Sequence, residues 1–404
     1  MCAKYLFMLC LLAYAAEAQK VFNVKDYGAI QDGNTDNSVA FVTAWSDACK
    51  WNGVATVLIP NGTYMLKSVI FNGPCNGSIT FEINGVLKAP IDPSMLADQK
   101  WINFRYVDKL TINGGGTFDG QGTATRQKCQ NDSCQILFTT MVLDFITNGR
   151  IENLHSADSK GGHFIVFGSG NITFTNLTLT SPANNRNTDG IKTSHTNGIN
   201  ITNVKIGTGD DCIAMISGTK NVRIKNVFCG PGHGISVGSL GGGGNPPDLP
   251  VEDVVVKNCT FNSSINGVQI KTWPFPLKTP LSVSNFIYED IVMINVKNPI
   301  FINQQYCPKH NCDLTKSSHV QISNVSYKNI RGSSATDIAV NLNCSMELPC
   351  QNVTVEDIDL SSSGRDGRQH IKNYCSHVKG FSYGKQIPPS CLPNNKFRTT
   401  PLPY

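Results

Sequence analysis

The chain has 404 residues, of which 40% are hydrophobic and 16% are charged, and its formal net charge is +5 at pH 7. This mild excess suits a polyanionic partner without requiring one, and we expect that partner to be neither nucleic acid nor a membrane. Gly, Asn, Ser and Thr are abundant, and the apolar residues are rich in Val and Ile. This composition favours an all-β protein with many turns.

Residues 1–18 are predicted to be a secretory signal. Lys4 supplies a positive start, residues 5–15 an apolar run, and residues 16–18 a small-residue cleavage site. A buried N-terminal helix is the alternative interpretation of this segment. The apolar run is too short to cross a bilayer, and no later stretch is long enough. We therefore expect a secreted protein, a monomer with residues 19–404 as one domain.

Thirteen of the fifteen cysteines follow residue 18, and in an oxidising compartment most of them should pair. The spacing suggests the pairs Cys49–Cys75, Cys129–Cys134, Cys212–Cys229, Cys307–Cys312, Cys344–Cys350 and Cys375–Cys391. Cys259 is then left as a buried free thiol. None of the pairs has a zinc-like spacing with histidines, so we expect no metal and no other cofactor. Eleven Asn-x-Ser/Thr sequons, such as Asn61, are candidate glycosylation sites.

The first part of the mature chain predicts one helix followed by strands. Val21–Tyr27 is predicted as a strand. Asn37 or Ser38 can then cap a helix that runs to about Lys50, because apolar residues recur there at roughly helical spacing. A helix at this position would cover the end of a stacked-coil fold. No second convincing helix follows. The later strand-like runs are Ala55–Ile59, Ser78–Val86, Leu110–Gly114 and Gly162–Phe167.

From Asn171 onward one pattern repeats. The runs that begin at Asp189, Asp211 and His233 start 22 residues apart. A fixed period of this size indicates a solenoid of stacked coils, in which equivalent residues of neighbouring coils lie about 4.8 Å apart. An Asn-hydrophobic step, whose amide side chains could hydrogen-bond from coil to coil, recurs at Asn176, Asn203, Asn226 and Asn258.

Two segments depart from this period. Gly241–Pro250 lacks the Lys-Ser/Thr ending of a phosphate-binding loop, so we predict a loop beside the repeated residues. The tail after Ser361 loses the period, and we expect it to wrap the far end of the solenoid.

The repeat brings Asp189, Asp211 and His233 into one column, with Asp210 beside Asp211. Glycoside cleavage needs such a set of carboxyl groups, one protonated for the leaving oxygen and another ionised to activate water. Crowding of like charges raises the proton affinity of one of them. His233 can hold a carboxyl group by a hydrogen bond. Each acid taken singly is explained as a turn residue, but three acids and a histidine in register predict a site.

Beyond the loop the column continues to Asn266, Gln269 and Lys271. Gln269 and Lys271 flank the inward-facing Ile270, so both should face outward, where the lysine could hold a substrate carboxylate. Tyr306 offers an aromatic edge for a sugar ring. Trp273 is less well placed and is expected only to pack.

Four segments resemble the signature segments of the polygalacturonases, family 28 of the glycoside hydrolases. They are NTDG at 187–190, GDDC at 209–212, GHG at 232–234 and IKT at 270–272. The run FNVKDYGAIQDGNTDNSVAF is similar to the start of plant members, and the resemblance extends from about residue 21 to the end. It implies a right-handed parallel β-helix that hydrolyses α-1,4-linked galacturonic acid in pectin with inversion, as part of cell-wall remodelling.

The resemblance also implies roles for individual residues. Asp210 would be the general acid, and Asp189 and Asp211 would activate water. His233 would support the acid. The residues that would bind sugars are Asn187, Gln269, Lys271 and Tyr306.

Two segments differ from the family pattern. Residues 269–271 are Gln-Ile-Lys where the family usually has Arg-Ile-Lys, which removes a bidentate grip on a carboxylate. Residues 302–306 are Ile-Asn-Gln-Gln-Tyr where Ile-Asp-Gln-Asn-Tyr is usual. Neither change touches the carboxylates, so we expect weakened but real hydrolysis.

Two other functions compete with this one. The first is a pectin-binding protein on the same scaffold that has lost its chemistry. The second is a pectin lyase, which usually needs calcium ligands and an arginine base, whereas the column here contains a histidine and no arginine. The short leader is similar to that of pollen-type exo-acting members, but the sequence leaves cleavage from chain ends or internally open.

Overall fold

The structure is a computed structural model that describes residues 19–129, 138–364 and 370–395. Its strands, in chain order, are β1 (Lys20–Asn23), β2 (Asp32–Asp36), β3 (Ala55–Ile59), β4 (Thr63–Met65), β5 (Val69–Asn72), β6 (Ile79–Ile83), β7 (Val86–Lys88), β8 (Lys100–Arg105), β9 (Leu110–Asn113), β10 (Thr117–Asp119), β11 (Thr139–Asp144), β12 (Thr147–Ala157), β13 (Phe164–Phe167), β14 (Gly170–Thr180), β15 (Ile191–Ser194), β16 (Asn197–Gly207), β17 (Ile213–Met215), β18 (Lys220–Cys229), β19 (Ile235–Leu240), β20 (Val251–Asn262), β21 (Asn266–Thr272), β22 (Leu281–Val296), β23 (Asn298–Asn303), β24 (Val320–Ser334), β25 (Ile338–Asn343), β26 (Cys350–Ser362), β27 (Lys372–Ser376) and β28 (Val378–Ile387). The helices are α1 (Ser38–Cys49) and α2 (Gly122–Lys128), with 3-10 turns at Val24–Tyr27 and Pro93–Met95.

Strands of successive coils pair in parallel, which confirms the predicted β-helix. Eleven strands form one sheet in the order β5-β8-β11-β13-β15-β17-β19-β21-β23-β25-β27, and we call it the eleven-strand sheet. The longer strands, from β12 to β28 in alternation with it, stack on one another in a second sheet. Each coil therefore adds one strand to each sheet, and the chain advances by one strand spacing per coil.

The core is a set of stacks that run along the solenoid. Ile191, Ile213, Ile235, Val268 and Ile300 occupy equivalent positions in five successive coils, and all five are fully buried. Side chains alternate between the two faces of a strand, so the residues next to them face outward. Burying each of these side chains stabilises the fold by about 1.5–3 kcal/mol.

The coil corners carry the predicted asparagine ladder. The amide of Asn226 donates to Oδ1 of Asn203 at 2.9 Å, and that of Asn258 donates to Oδ1 of Asn226 at 2.7 Å. Asn176 donates in the same way to Asn153 at 3.1 Å. These residues adopt left-handed backbone angles, with φ between +51° and +57°, which asparagine tolerates better than most residues. Asparagine at these corners thus both tolerates the left-handed backbone and provides a hydrogen bond to the next coil.

Helix α1 covers the first coil as predicted. Its apolar face is buried at Phe41, Ala44, Trp45 and Ala48. The indole of Trp45 donates to the carbonyl oxygen of Asn72 at 3.0 Å. The cap differs from the expectation, because the side chain of Asn37 accepts from the backbone N–H of Ile30 instead of capping the helix.

Several predicted boundaries were wrong for local reasons. The strand expected over Val21–Tyr27 ends at Asn23, whose side chain accepts from the N–H of Lys25 and starts a 3-10 turn. The strand expected over Ser78–Val86 is split into β6 and β7 at Asn84 and Gly85. Helix α2 was missed, because seven residues are too few to show a helical period.

The tail also departs from the prediction. Strands β27 and β28 pair with β25 and β26, so the solenoid continues for one more coil after Ser361. Wrapping begins only afterwards, where Leu392 is buried and the N–H of Ser382 donates to the carbonyl of Pro393. The segment 241–250 is a loop between β19 and β20, as expected.

Five of the six expected disulfides are present. They are Cys49–Cys75, Cys212–Cys229, Cys307–Cys312, Cys344–Cys350 and Cys375–Cys391. The sixth, Cys129–Cys134, and the predicted signal at residues 1–18 lie outside the described residues. Cys259 is a buried free thiol, as expected. Among the residues that the structure describes, no helix has the length and apolar character needed to cross a membrane.

The stacked core predicts a large difference between two isoleucine positions. Ile213→Ala removes a fully buried side chain and should lower the free energy of unfolding by about 2–5 kcal/mol. Ile294→Ala, at a position 43% exposed, should change it by less than about 0.5 kcal/mol. Guanidinium unfolding followed by circular dichroism measures both, and equal losses would contradict the assignment of the core stack.

Candidate active site

The site lies on the outer face of the eleven-strand sheet, where three strands begin. Asp189, Asp211 and His233 each stand two residues before β15, β17 and β19. These strands pair in register, Ile191 with Ile213 and Ile213 with Ile235. The three residues therefore occupy equivalent places in successive coils, as the repeat predicted.

Close backbone packing holds the two acidic turns together. The backbone N–H of Gly209 donates to Oγ1 of Thr188 at 2.9 Å, which links the turn before Asp189 to the turn before Asp210. A Cβ atom on Gly190 would lie 2.4 Å from the carbonyl oxygen of Cys212, so only glycine fits there. The NTDG and GDDC segments therefore have a structural as well as a chemical reason for their composition.

Asp210 is paired with His233. The Nδ1 atom of His233 lies 3.1 Å from Oδ1 of Asp210, whose side chain is 22% exposed. The hydrogen bond to Asp210 raises the pKa of His233 above its usual value. Burial acts to raise the pKa of Asp210, but the hydrogen bond and charge of His233 outweigh it and lower that pKa. In the free protein the proton of this pair therefore resides on the imidazole.

Asp211 is buried and held at both oxygens. The Nζ atom of Lys271 donates to Oδ2 at 2.7 Å, and Oγ of Ser236 donates to Oδ1 at 2.7 Å. Burial acts to lower the pKa of Lys271, yet the charge of Asp211 outweighs it and the pKa is raised. Lys271, which we expected to hold a substrate carboxylate, is thus already paired with an acid of the site.

Asp189 has the highest proton affinity of the acids whose pKa shifts are resolved in the column. Burial raises its pKa to about 6, although the ammonium of Lys192 lies only 2.5 Å from Oδ2 and opposes the shift. The charges of Asp210 and Asp211 raise it further. The site therefore contains one acid that protonates near neutrality and one that stays ionised beside an imidazolium.

Gln269 lies on the same outer face and is buried. Its Oε1 accepts from Nδ2 of Asn266 at 3.1 Å and lies 3.3 Å from Oγ of Ser236. Pairing across the strands places Ser236 and Gln269 in register, one coil apart. The amide therefore extends the hydrogen-bonded network of Asp211 without adding a charge.

The predicted aromatic residues lie next to this network. The Nζ atom of Lys271 is 5.4 Å from the centre of the Tyr306 ring, a cation–π distance. Trp273 meets Tyr306 edge to face at 5.4 Å, so it packs as expected. Gln304 is fully buried and binds the backbone of Val320, so it supports the turn below Tyr306. Asn187 is exposed just before the column, in a left-handed conformation.

The acids and the histidine are close enough to be considered as metal ligands. Each of Asp210, Asp211 and His233 offers one ligand atom, and these three atoms lie within 4.8 Å of one another. Both oxygens of Asp211 already accept hydrogen bonds, and one partner is an ammonium group. A cation would have to compete with Lys271, so the donor set fits a divalent metal poorly.

Three polar residues of the site were missed by the sequence analysis: Lys192, Ser236 and Thr188. Lys192, Ala214, Ser236, Gln269 and Phe301 share the outward position next to the core stack in successive coils. The strand alternation that predicts an outward direction for Gln269 and Lys271 predicts the same for Lys192 and Ser236. Thr188 has no such signal, because it acts from a turn.

Comparison with known proteins places the chain in a family. The model of the glycosyl hydrolases family 28 matches residues 49–381. The chain belongs to this family. It is 42% identical over 385 residues to a polygalacturonase of Nicotiana tabacum, covering 95% of each chain. It is also 42% identical to an exopolygalacturonase of Platanus acerifolia, covering 91% of this chain and 97% of that one.

Solved structures support the fold assignment. An endo-xylogalacturonan hydrolase from Aspergillus tubingensis superposes with a TM-score of 0.76 at 23% identity, over 89% of this chain and 96% of that one. A polygalacturonase from Erwinia carotovora gives a TM-score of 0.69 at 20% identity, over 87% and 95%. At these identities the likeness concerns the β-helix alone.

The raised pKa of Asp189 predicts a pH dependence of stability. The folded protein binds this proton more tightly than the unfolded chain, where Asp titrates near its ordinary value of about 3.9. The stabilisation is therefore fully present below about pH 4 and is lost as the pH rises to about 6. Asp189→Asn should remove this loss, which amounts to about 3 kcal/mol.

Unfolding free energies measured from pH 3.5 to pH 7 test this expectation. Asp26→Asn, at an exposed position in the first coil, serves as the control and should follow the wild type. Parallel curves for the wild type and Asp189→Asn would contradict the assignment of the raised pKa.

Proposed function

We propose that the protein is a polygalacturonase that hydrolyses α-1,4-linked galacturonic acid in pectin. The observation that carries the proposal is the column of Asp189, Asp210, Asp211 and His233, in which each acid has a different partner. The names of the relatives, polygalacturonase and exopolygalacturonase, support the same substrate. The substrate is a polyanion, which agrees with the chain's net charge of +5.

Asp210 is proposed as the general acid. It is the most exposed of the three acids, so the oxygen of a glycosidic bond can approach it. Its partner His233 holds a proton 3.1 Å away. A bound sugar excludes water and raises the proton affinity of a carboxylate, so the proton can pass to Asp210 and then to the leaving oxygen. Deprotonation of His233 at high pH should therefore abolish activity.

Asp211 and Asp189 are proposed to hold and activate the water. Both oxygens of Asp211 are engaged, by Lys271 and Ser236, which restrains the carboxylate from attacking carbon itself. Water can donate a hydrogen bond to a lone pair of Asp211 that Lys271 and Ser236 leave unused. Asp189 stands one coil away and, when ionised, can take one proton of that water, while the other proton stays on the oxygen that becomes the anomeric hydroxyl. Attack by water instead of a carboxylate inverts the anomeric centre.

The alternative of an inactive pectin-binding homologue rests on Gln269. This residue supplies no charge where the family usually has arginine, so substrate binding should be weakened. The acids and His233 nevertheless keep their hydrogen bonds, and the chemistry needs no group from Gln269. We therefore propose an active enzyme of reduced affinity for acidic sugars.

Secretion to the cell wall, where the protein would help remodel pectin, is part of the proposal. Five disulfides among the described residues suit an oxidising compartment. Residues 1–18 have the composition of a signal that is removed on export. N-terminal sequencing of the secreted protein would identify the cleavage point.

Asp210→Asn should abolish the release of reducing sugar from polygalacturonate. The amide cannot donate a carboxyl proton, and loss of a general acid costs about 10²–10⁴-fold in rate. Asp26→Asn should retain full activity. Absence of reducing sugar with the wild-type protein, or full activity of Asp210→Asn, would overturn the proposal.

The products identify the mode of cleavage. Proton NMR of the first product should show the inverted anomer. Chain-length analysis of digests of galacturonate oligomers separates the modes, because monomer alone indicates cleavage from the end and mixed oligomers indicate internal cleavage.

A chelator should leave the reaction rate unchanged. Because Lys271 already occupies Asp211 as a cation, the proposed steps use no metal ion. Assays with and without EDTA test this, with a calcium-dependent pectin lyase as the positive control. Loss of activity with EDTA, restored by calcium, would instead favour the lyase.

A further inference from the structure

A cavity of about 580 Å³ adjoins the site on the side of the later coils. Trp273 forms part of its wall and also contacts Tyr306, whose ring faces Lys271. The cavity is therefore connected to the catalytic column through two aromatic side chains. Its volume falls in the range of ordinary ligand pockets.

The walls of the cavity suit a sugar ring. Trp273, Pro274 and Phe275 provide apolar surface, and the loop 241–250 closes one side with Gly242 and Gly244. Aromatic faces and edges pack against the C–H groups of pyranose rings, while the polar rim can bind hydroxyl groups. Phe275 is 40% exposed, so part of this apolar surface is open to a ligand.

The charges around the cavity are unfavourable for a carboxylate. Its ionisable residues are Asp248, Asp313 and Lys316. Nζ of Lys316 lies 3.8 Å from Asp313, which offsets that charge, and Asp248 remains as a net negative group. A galacturonate carboxylate would be repelled here, whereas an uncharged ring would not.

The outer face of the eleven-strand sheet beside the column, which we call the groove floor, is uncharged at Gln269 and Phe301. Gln269 and Phe301 occupy successive outward positions on β21 and β23. Lys271, two residues after Gln269 on the same strand, is buried and paired with Asp211. This observation is independent of the cavity walls and points to the same chemistry, because a site for a carboxylate would present an unpaired cation.

We propose that the cavity binds an uncharged pyranose of the pectic chain, either a methyl-esterified galacturonate or a neutral sugar. This inference rests on the proposed function and concerns a sugar bound beside the catalytic column. The enzyme would then act on chains that are only partly charged. Trp273, which the sequence analysis assigned to packing alone, becomes a residue that determines specificity.

Binding measurements on a non-cleaving protein test the proposal. Asp210→Asn provides that background, and calorimetry compares three ligands: trigalacturonate, its methyl ester, and the neutral α-1,4-linked galactose trimer. Adding Trp273→Ala should weaken binding of an uncharged trimer about tenfold and leave trigalacturonate nearly unchanged. Phe381→Ala, at a position 46% exposed on β28, is the matched control and should change neither.

Gln269→Arg is the complementary variant. A guanidinium in the groove floor should strengthen binding of trigalacturonate about tenfold and give the uncharged trimers no such gain. If Trp273→Ala weakens binding of the methyl ester alone, the natural ligand is esterified pectin. If it weakens binding of both uncharged trimers, the natural ligand is a neutral sugar. Either result supports the proposal. If Trp273→Ala weakens trigalacturonate as much as the uncharged trimers, or weakens none of the three, the proposal is overturned.

These outcomes are distinguishable from failure of the proposed function. Binding is measured without turnover, so a protein that hydrolyses nothing still reports its preference for charge. Conversely, hydrolysis of polygalacturonate by the wild type together with no effect of Trp273→Ala would leave the polygalacturonase assignment in place and remove only the cavity inference. Circular dichroism of each variant confirms that it is folded.

Discussion

Hydrogen bonds between the backbones of successive coils fix the register on which the whole site depends. Ile191, Ile213 and Ile235 can stack in the core only if their strands pair without a shift. A slip of one residue would turn every core side chain outward and every groove residue inward. The burial of the core therefore also holds Asp189, Asp211 and His233 in their column. In this sense the apolar interior orders the proposed catalytic groups.

Register alone would bring like charges together, and the structure offsets them one by one. Asp211 is matched by Lys271, Asp210 by His233 and Asp189 by Lys192. The three pairs differ in burial and geometry, so their acids differ in proton affinity. Burial raises the pKa of Asp189, while the imidazole lowers that of Asp210. Acids of the same type can thus take different roles in one reaction.

How well an element or a site can be predicted from the sequence depends on how many residues its pattern spans. The column, the asparagine ladder and helix α1 are visible because each is a periodic pattern over many residues. Helix α2 has only seven residues, and β28 departs from the period of the earlier coils, so neither gave a signal. The register was accessible, whereas the partner chosen by each charged side chain depends on rotamers that no spacing specifies.

Lys271 shows this limit most clearly. Its outward direction follows from strand alternation, but a lysine that faces a groove can pair with a substrate or with a neighbouring acid. The structure pairs it with Asp211, which lies two coils before it in the stack. The pairing leaves the groove floor without a free cation at Gln269 and Phe301.

A neutral floor has a further physical consequence. Where arginine would neutralise a carboxylate, Gln269 can only donate or accept a hydrogen bond, so desolvation of a charged sugar there would not be offset. An esterified or neutral sugar has no such penalty, and aromatic groups such as Tyr306 can supply contact area in place of charge. We therefore expect Gln269 to change which substrate is favoured, while the proposed catalytic carboxylates keep their partners.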